Sequence, residues 1–329
     1  MTNLKKIGLT ALAGSLVATS AFAGALSVSG GAKISHTTKG GNEDGDTGTA
    51  SSNSQGSPFG LQKSIGFTGS GELDNGHTVS LYHGTAGGGS HSSSILTYDM
   101  GDAGTLVYQD TSAALGIAKI DDMMPTADEE IWNGVGGSPV GRVNGPGTGF
   151  NYTNTSFDGV RVDIGYSPKS AAASADDGGG SGVGGIKSSR SIAVQYTGIE
   201  GAKIFIGTGT NGATATTETD VDTYGFTYAM GPITVGAQHS EIDKTAAASD
   251  LETDMFGIAF AVNDNLSISY GQQDTEKDGS TVDQEVTGYS IGYSMGGITV
   301  KAHSNKGENL ANTAANESEH TEIAVSFAF

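Results

Sequence analysis

The sequence predicts an all-β fold, a sixteen-stranded antiparallel transmembrane β-barrel. Three observations predict it. Apolar residues recur at every second position through most of the chain, the period of a strand with two unlike faces. Tight Gly, Asn and Asp turns alternate with long polar loops between those segments. The composition suits one apolar face per strand: 36% hydrophobic, 16% charged, and 53 Gly in 329 residues, roughly double the average glycine usage.

Met1 to Ala23 comes first. Lys5 and Lys6 precede an apolar run, Ile7 to Val17, and Ala21-Phe22-Ala23 is a small-x-small cleavage site. This pattern reads as a secretory signal peptide, too short in its apolar part to span a bilayer. The barrel is then expected over 24–329. Its strands are expected at 25–36, 62–72, 77–84, 92–99, 104–110, 148–155, 160–167, 189–197, 202–209, 221–229, 232–239, 253–262, 265–271, 285–294, 297–304 and 320–329. The alternation is plain where Phe256, Ile258, Phe260 and Val262 are interleaved with Gly257, Ala259 and Ala261. In the ninth span, Ile204 and Ile206 compete with Phe205 for the outer face, which leaves Lys203 ambiguous.

Every second connection is short, such as Leu73-Asp74-Asn75-Gly76, Asn263-Asp264 and Gly296, with the residues that tight hairpins need. The others, 37–61, 85–91, 111–147, 168–188, 210–220, 240–252, 272–284 and 305–319, are long and polar. Short periplasmic turns and long extracellular loops are the sorting of an up-and-down barrel in an outer membrane. Sixteen strands enclose more space than side chains fill. The Ser/Thr/Gly/Gln parity therefore lines water and the Ile/Val/Tyr/Phe parity faces lipid.

The net charge of −20 argues against a nucleic-acid partner, and the absence of Cys removes thiolate chemistry. The seven His are scattered and no nucleophile motif is present, so the sequence gives no sign of an enzyme.

Four features resemble Gram-negative porins, most closely the alphaproteobacterial trimeric type: the signal peptide, the hairpin Ser64 to His77, the terminal Phe329 after alternating apolars, and the long loop 111–147. Phe327 and Phe329 are similar to the outer-membrane assembly signal. The resemblance implies a homotrimer of general diffusion channels among outer-membrane lipid and lipopolysaccharide, delivered by the assembly machinery. It also implies a third loop folded into the barrel to narrow the pore. That loop holds Asp121, Asp122, Asp128, Glu129 and Glu130, and carboxylates in a narrow lumen enrich cations. Thr126 and Glu129 form a possible capping box opening a short helix from Ala127 to Trp132. Trp132 is either a packing anchor or a contact for solutes.

Strand parity turns the bases Lys33, Arg161 and Lys301 inward, opposite the acidic loop; Arg142 is an alternative partner for the acids. In the first loop, Asn42, Asp44 and Asp46 are spaced like the start of a Ca²⁺ loop. Asn53 stands where the bidentate Glu would be, so a solvated acidic loop is the plainer reading. The function expected is passive diffusion of small hydrophilic solutes and ions with a cation preference and no cofactor. The alternatives are a substrate-specific porin, or a non-conducting barrel with an adhesive or structural role.

Overall fold

A computed structural model describes residues 24–41, 57–110, 114–135, 148–168, 188–212, 218–245 and 250–329. The signal segment, Arg142, and Asn42, Asp44 and Asp46 of the first loop lie outside the described residues. The strands are β1 Leu26–Gly41, β2 Phe59–Glu72, β3 Thr78–Ala86, β4 Ser90–Asp99, β5 Thr105–Gln109, β6 Gly149–Asn154, β7 Val160–Ser167 and β8 Ser189–Tyr196. They continue as β9 Ala202–Gly212, β10 Glu218–Met230, β11 Ile233–Lys244, β12 Leu251–Asn263, β13 Leu266–Lys277, β14 Gln284–Met295, β15 Ile298–Glu308 and β16 Ser318–Ala328.

Each strand pairs antiparallel with its sequence neighbours, and β1 pairs with β16 to close the barrel. At this seam Ile34 lies opposite Val325. Gly30 and Phe329 exchange backbone hydrogen bonds of 2.8 and 3.0 Å. In hydrocarbon such closure is obligatory, because an open sheet edge would leave backbone polar groups unpaired.

All sixteen expected strands are present, but many run further toward the loops. β11 continues to Lys244 and β13 to Lys277, several residues past the end of the apolar alternation. Alternation registers which face meets lipid, whereas the ladder persists as long as backbone groups pair. One connection is corrected: 85–91 is not a long loop. β3 and β4 are joined by the three glycines 87–89, of which Gly87 and Gly89 have φ of 55° and 92°, the region that favours glycine.

The two faces divide as the parity predicts. Phe226, Ile291 and Tyr289 project outward and are exposed on the lipid side. On β9 the competition resolves clearly. Ile204 and Ile206 face outward, while Phe205 is 1% exposed and faces the lumen. Lys203 shares the parity of Phe205 and also faces inward. The wall is uneven in height: β5 and β6 have five and six residues, β10 and β12 thirteen each.

Ile291 sits between Tyr289 and Tyr293 on the lipid parity of β14. Replacing it with Arg should destabilise the barrel by about 2–4 kcal/mol. Equilibrium unfolding by urea in lipid vesicles measures that loss.

Candidate functional site

The segment 114–135 follows β5 in the chain and lies against the inner wall from β6 round to β16. Apolar contact holds it there. Ile117 and Ile120 are fully buried in a cluster with Phe205, Ala193, Val221, Ile242 and Leu251. A second cluster joins Trp132 and Val135 of the loop to Met255, Val286 and Leu310. Burial of one such side chain is worth about 1.5–3 kcal/mol. Trp132 is therefore a packing anchor rather than a surface offered to solutes.

Glycines make the close approach possible. A Cβ on Gly236 would lie 2.8 Å from Pro125 Cδ, and one on Gly271 would lie 2.7 Å from Ile131 Cγ2. On Gly292 it would meet the Ala127 carbonyl oxygen at 2.5 Å. The bare inner faces of β11, β13 and β14 thus form a track on which the loop backbone rests.

Wall side chains pair the loop's backbone groups, which would otherwise be buried unsatisfied. Gln238 grips it at two points: its Nε2 donates to the Ile120 carbonyl (2.8 Å) and its Oε1 accepts from Met123 N–H (3.0 Å). Asn151 Oδ1 accepts from Gly116 N–H at 2.7 Å, and Ser269 Oγ accepts from Ala127 N–H at 2.9 Å. Asn305 Nδ2 donates to the Asn133 carbonyl at 3.0 Å.

The loop has no helix at Ala127 to Trp132. Thr126 Oγ1 accepts from Asp128 N–H and donates to the Glu129 carbonyl, so the hydroxyl closes a tight bend instead of capping a helix. The regular turn of the loop lies earlier, a 3₁₀ turn at Gly116–Lys119.

The acids fall into two groups. The Asp128 side chain is 7% exposed, with Oδ1 3.3 Å from Lys301 Nζ and Oδ2 2.7 Å from His303 Nδ1. A carboxylate only accepts, so His303 Nδ1 carries the hydrogen. His303 Nε2 is in turn 2.9 Å from His320 Nδ1. Asp128 is a strut between loop and wall, not an open pore charge. Asp121, Asp122 and Glu130 are partly exposed and Glu129 is exposed. Asp122 Oδ1 also accepts from Met124 N–H at 3.0 Å.

The three expected bases, Lys33, Arg161 and Lys301, face inward, but they do not form a cluster facing the loop across the lumen. Lys33 Nζ lies 2.9 Å from Glu322 and 3.7 Å from Glu129, and Lys301 holds Asp128. Arg161 is bound to Asp163, with Nε 2.6 Å from Oδ2, near the periplasmic end. Lys119 and Lys203 share a lumen recess with Arg161. Across the lumen, the uncovered inner face of β1–β5 offers hydroxyls such as Ser29, Ser64, Thr68 and Ser80. Among the described residues there, Lys33 and Lys39, both on β1, are the basic side chains on the inward parity.

Sequence reasoning missed Gln238, Phe205 and His303. One signal was available: Ile204-Phe205-Ile206 is apolar on both faces, which marks wall covered on both sides.

Two outcomes test this docking, using Trp132, the single tryptophan of the chain, as reporter. Burial pushes the Asp128 carboxyl upward, but the His303 hydrogen bond and the Lys301 charge outweigh it and hold the carboxyl below its ordinary 3.8. Its contribution to docking is thus fully present above about pH 3.8 and is lost as pH falls through the lower docked value. Trp132 emission should stay blue-shifted to that pH and move red only below it, whereas Asp128→Asn should be red-shifted already at pH 7. Gly292→Val, which drives a side chain into the Ala127 carbonyl, should raise acrylamide quenching of Trp132 in an intact barrel.

The family model described as Gram-negative porin matches residues 8–329. Among solved structures, an anion-selective porin from Comamonas acidovorans is similar with a TM-score of 0.67 at 12% identity, over 93% of this chain and 99% of that one. OmpT of Vibrio cholerae in its trimer form gives 0.65 at 13% identity, over 93% and 100%. A mutant of Rh. blastica porin gives 0.61 at 15% identity, over 93% and 100%. Comparison with curated proteins yields no match. A closed sixteen-stranded barrel, a loop folded into its water-lined interior and the family match over nearly the whole chain agree: the protein belongs to the Gram-negative porins and forms a channel in the outer membrane.

Proposed function

We propose that this porin is a cation-preferring diffusion channel for small hydrophilic solutes and ions. The observation that carries the reading is the asymmetry of the lumen. Asp121, Asp122, Glu129 and Glu130 lie on the loop that narrows it, and the wall they face is lined mainly by hydroxyls. Carboxylates in a narrow aqueous passage raise local cation concentration and repel anions. A wall made mainly of hydroxyls gives neutral solutes little to discriminate between beyond size. The anion-selective Comamonas porin shares the fold, but fold does not set the sign of the lumen charge.

A substrate-specific porin would need a run of aromatics along the open wall. Among the described residues, Tyr82 is the inward aromatic on β1–β5, and a single ring makes no ladder.

The reading extends to a homotrimer. The outward face of β3 and β4 departs from the lipid pattern, since His83 Nδ1 and Ser94 Oγ lie 3.1 Å apart on it, beside the short strands β5 and β6. Polar groups there suit contact with another copy better than lipid. The OmpT neighbour is a trimer form. Met1 to Ala23 is removed on export, and Phe327 and Phe329 present the assembly signal before the barrel sits among lipid and lipopolysaccharide.

Planar-bilayer recording in a KCl gradient tests this. Current should rise in triplets with a cation-favouring reversal potential. Replacing Asp121, Asp122, Glu129 and Glu130 together with their amides should move that potential toward zero. A reversal potential unaltered by all four changes overturns the assignment.

A further inference from the structure

On the outside of the barrel, above Tyr224 and Phe256, the outward parity changes from apolar to charged. In this rim, acids stand directly opposite acids on adjacent strands. Asp222 faces Glu241, Glu241 faces Glu252, Glu252 faces Glu276, and Asp254 faces Asp274. Like charges directly opposite destabilise a sheet. Among the described outward residues of β10–β13 one basic group interrupts the rows, the imidazole of His239.

His239 stands opposite Asp254 in the β11–β12 register. Its Nδ1 lies 2.9 Å from Asp254 Oδ1, and its Nε2 lies 3.2 Å from Glu241 Oε1 and 3.7 Å from Glu252 Oε1. One donor atom each from His239, Glu252 and Asp254 falls within 4.8 Å of the others. The imidazole is the fixed member: its side chain is 15% exposed, and its ring packs on Tyr224 with centroids 5.1 Å apart. Both carboxylates are exposed. An ion takes a single imidazole nitrogen, so the carboxylate now at the other nitrogen has to swing round the ring to join it.

We propose that His239, Glu252 and Asp254, with Glu241 beside them, form a zinc-class divalent metal site on the outer wall at the extracellular rim. The donor set selects the ion. Ca²⁺ and Mg²⁺ take all-oxygen shells, whereas a neutral imidazole with carboxylates suits Zn²⁺, which is held by three or four such ligands at about 2.0–2.2 Å. The ion offsets charge where three strands bring carboxylates together, and so ties β11 to β12 beyond the lipid band. The competing state is a protonated imidazole held by the same carboxylates, and zinc must displace that proton.

The test uses the full chain without a histidine tag, folded in detergent, with Zn²⁺ alone as the probe in isothermal titration calorimetry. One Zn²⁺ per chain is expected. His239→Gln should weaken binding at least tenfold, and so should the double change Glu252→Gln with Asp254→Asn, while millimolar Ca²⁺ should not compete. Because the site lies outside the lumen, single-channel conductance of these variants should equal that of the parent, which verifies folding independently of the metal. No zinc uptake by the parent, or uptake undiminished in folded His239→Gln, overturns the proposal.

Discussion

Closure is the constraint on which the rest depends. A strand in hydrocarbon needs a hydrogen-bonded neighbour on both sides, and sixteen strands meet that need only when β1 finds β16. The seam is made by a ladder running from Gly31–Ala328 to Gly41–Ser318, capped by the reciprocal Gly30–Phe329 pair. With the ring shut, strand number fixes a lumen too wide for wall side chains to fill. Everything functional in the molecule is a response to that space.

The response is a second packing problem solved inside the first. The third loop is a short piece of chain that has to be held against a curved, water-lined wall. It is held the way a protein core is held, by Ile117, Ile120, Trp132 and Val135 against Phe205, Val221, Met255 and Val286, with its backbone polar groups paired by Gln238, Asn151 and Ser269. The inner wall therefore has two characters. Under the loop it is apolar and glycine-rich; opposite the loop it is hydroxylic. Five glycines serve this contact, Gly236, Gly257, Gly271, Gly288 and Gly292, where a Cβ would meet Pro125, Ile131 or Ala127.

This division explains what was legible in the sequence. Alternation reports a surface with unlike environments on its two sides, so every strand registered where lipid meets water. It fails in two places, for opposite reasons. Past the lipid band both faces are wet, and β11 and β13 run on unseen as polar chain. Beneath the loop both faces are dry, and Phe205 is hidden between Ile204 and Ile206. The third loop resisted for a different cause. Its conformation is set by contacts more than a hundred residues away, such as Gln238 with Met123, and these override the local capping pattern at Thr126 and Glu129. Asp128 reads as one of five like acids in the sequence. Only its burial between Lys301 and His303 separates it from the others.

The same reasoning changes what net charge says about selectivity. A surplus of carboxylates in the whole chain is a statement about the pore only if the carboxylates face it. Many here do not. Asp222, Glu241, Glu252, Glu276 and Asp274 point away from the lumen, on rim segments of β10–β13 that rise beyond the lipid, and the wall separates them from the permeation path. Salt screens the field of an exposed charge over about 8 Å at physiological ionic strength. On the reading proposed above, the field a permeating ion meets is set by the inward charges alone: the loop acids left after Asp128 is engaged in docking, and inward bases such as Lys33, Arg161 and Lys203. On that reading selectivity is a local property of the docked loop, and a change that loosens the docking alters aperture and field together.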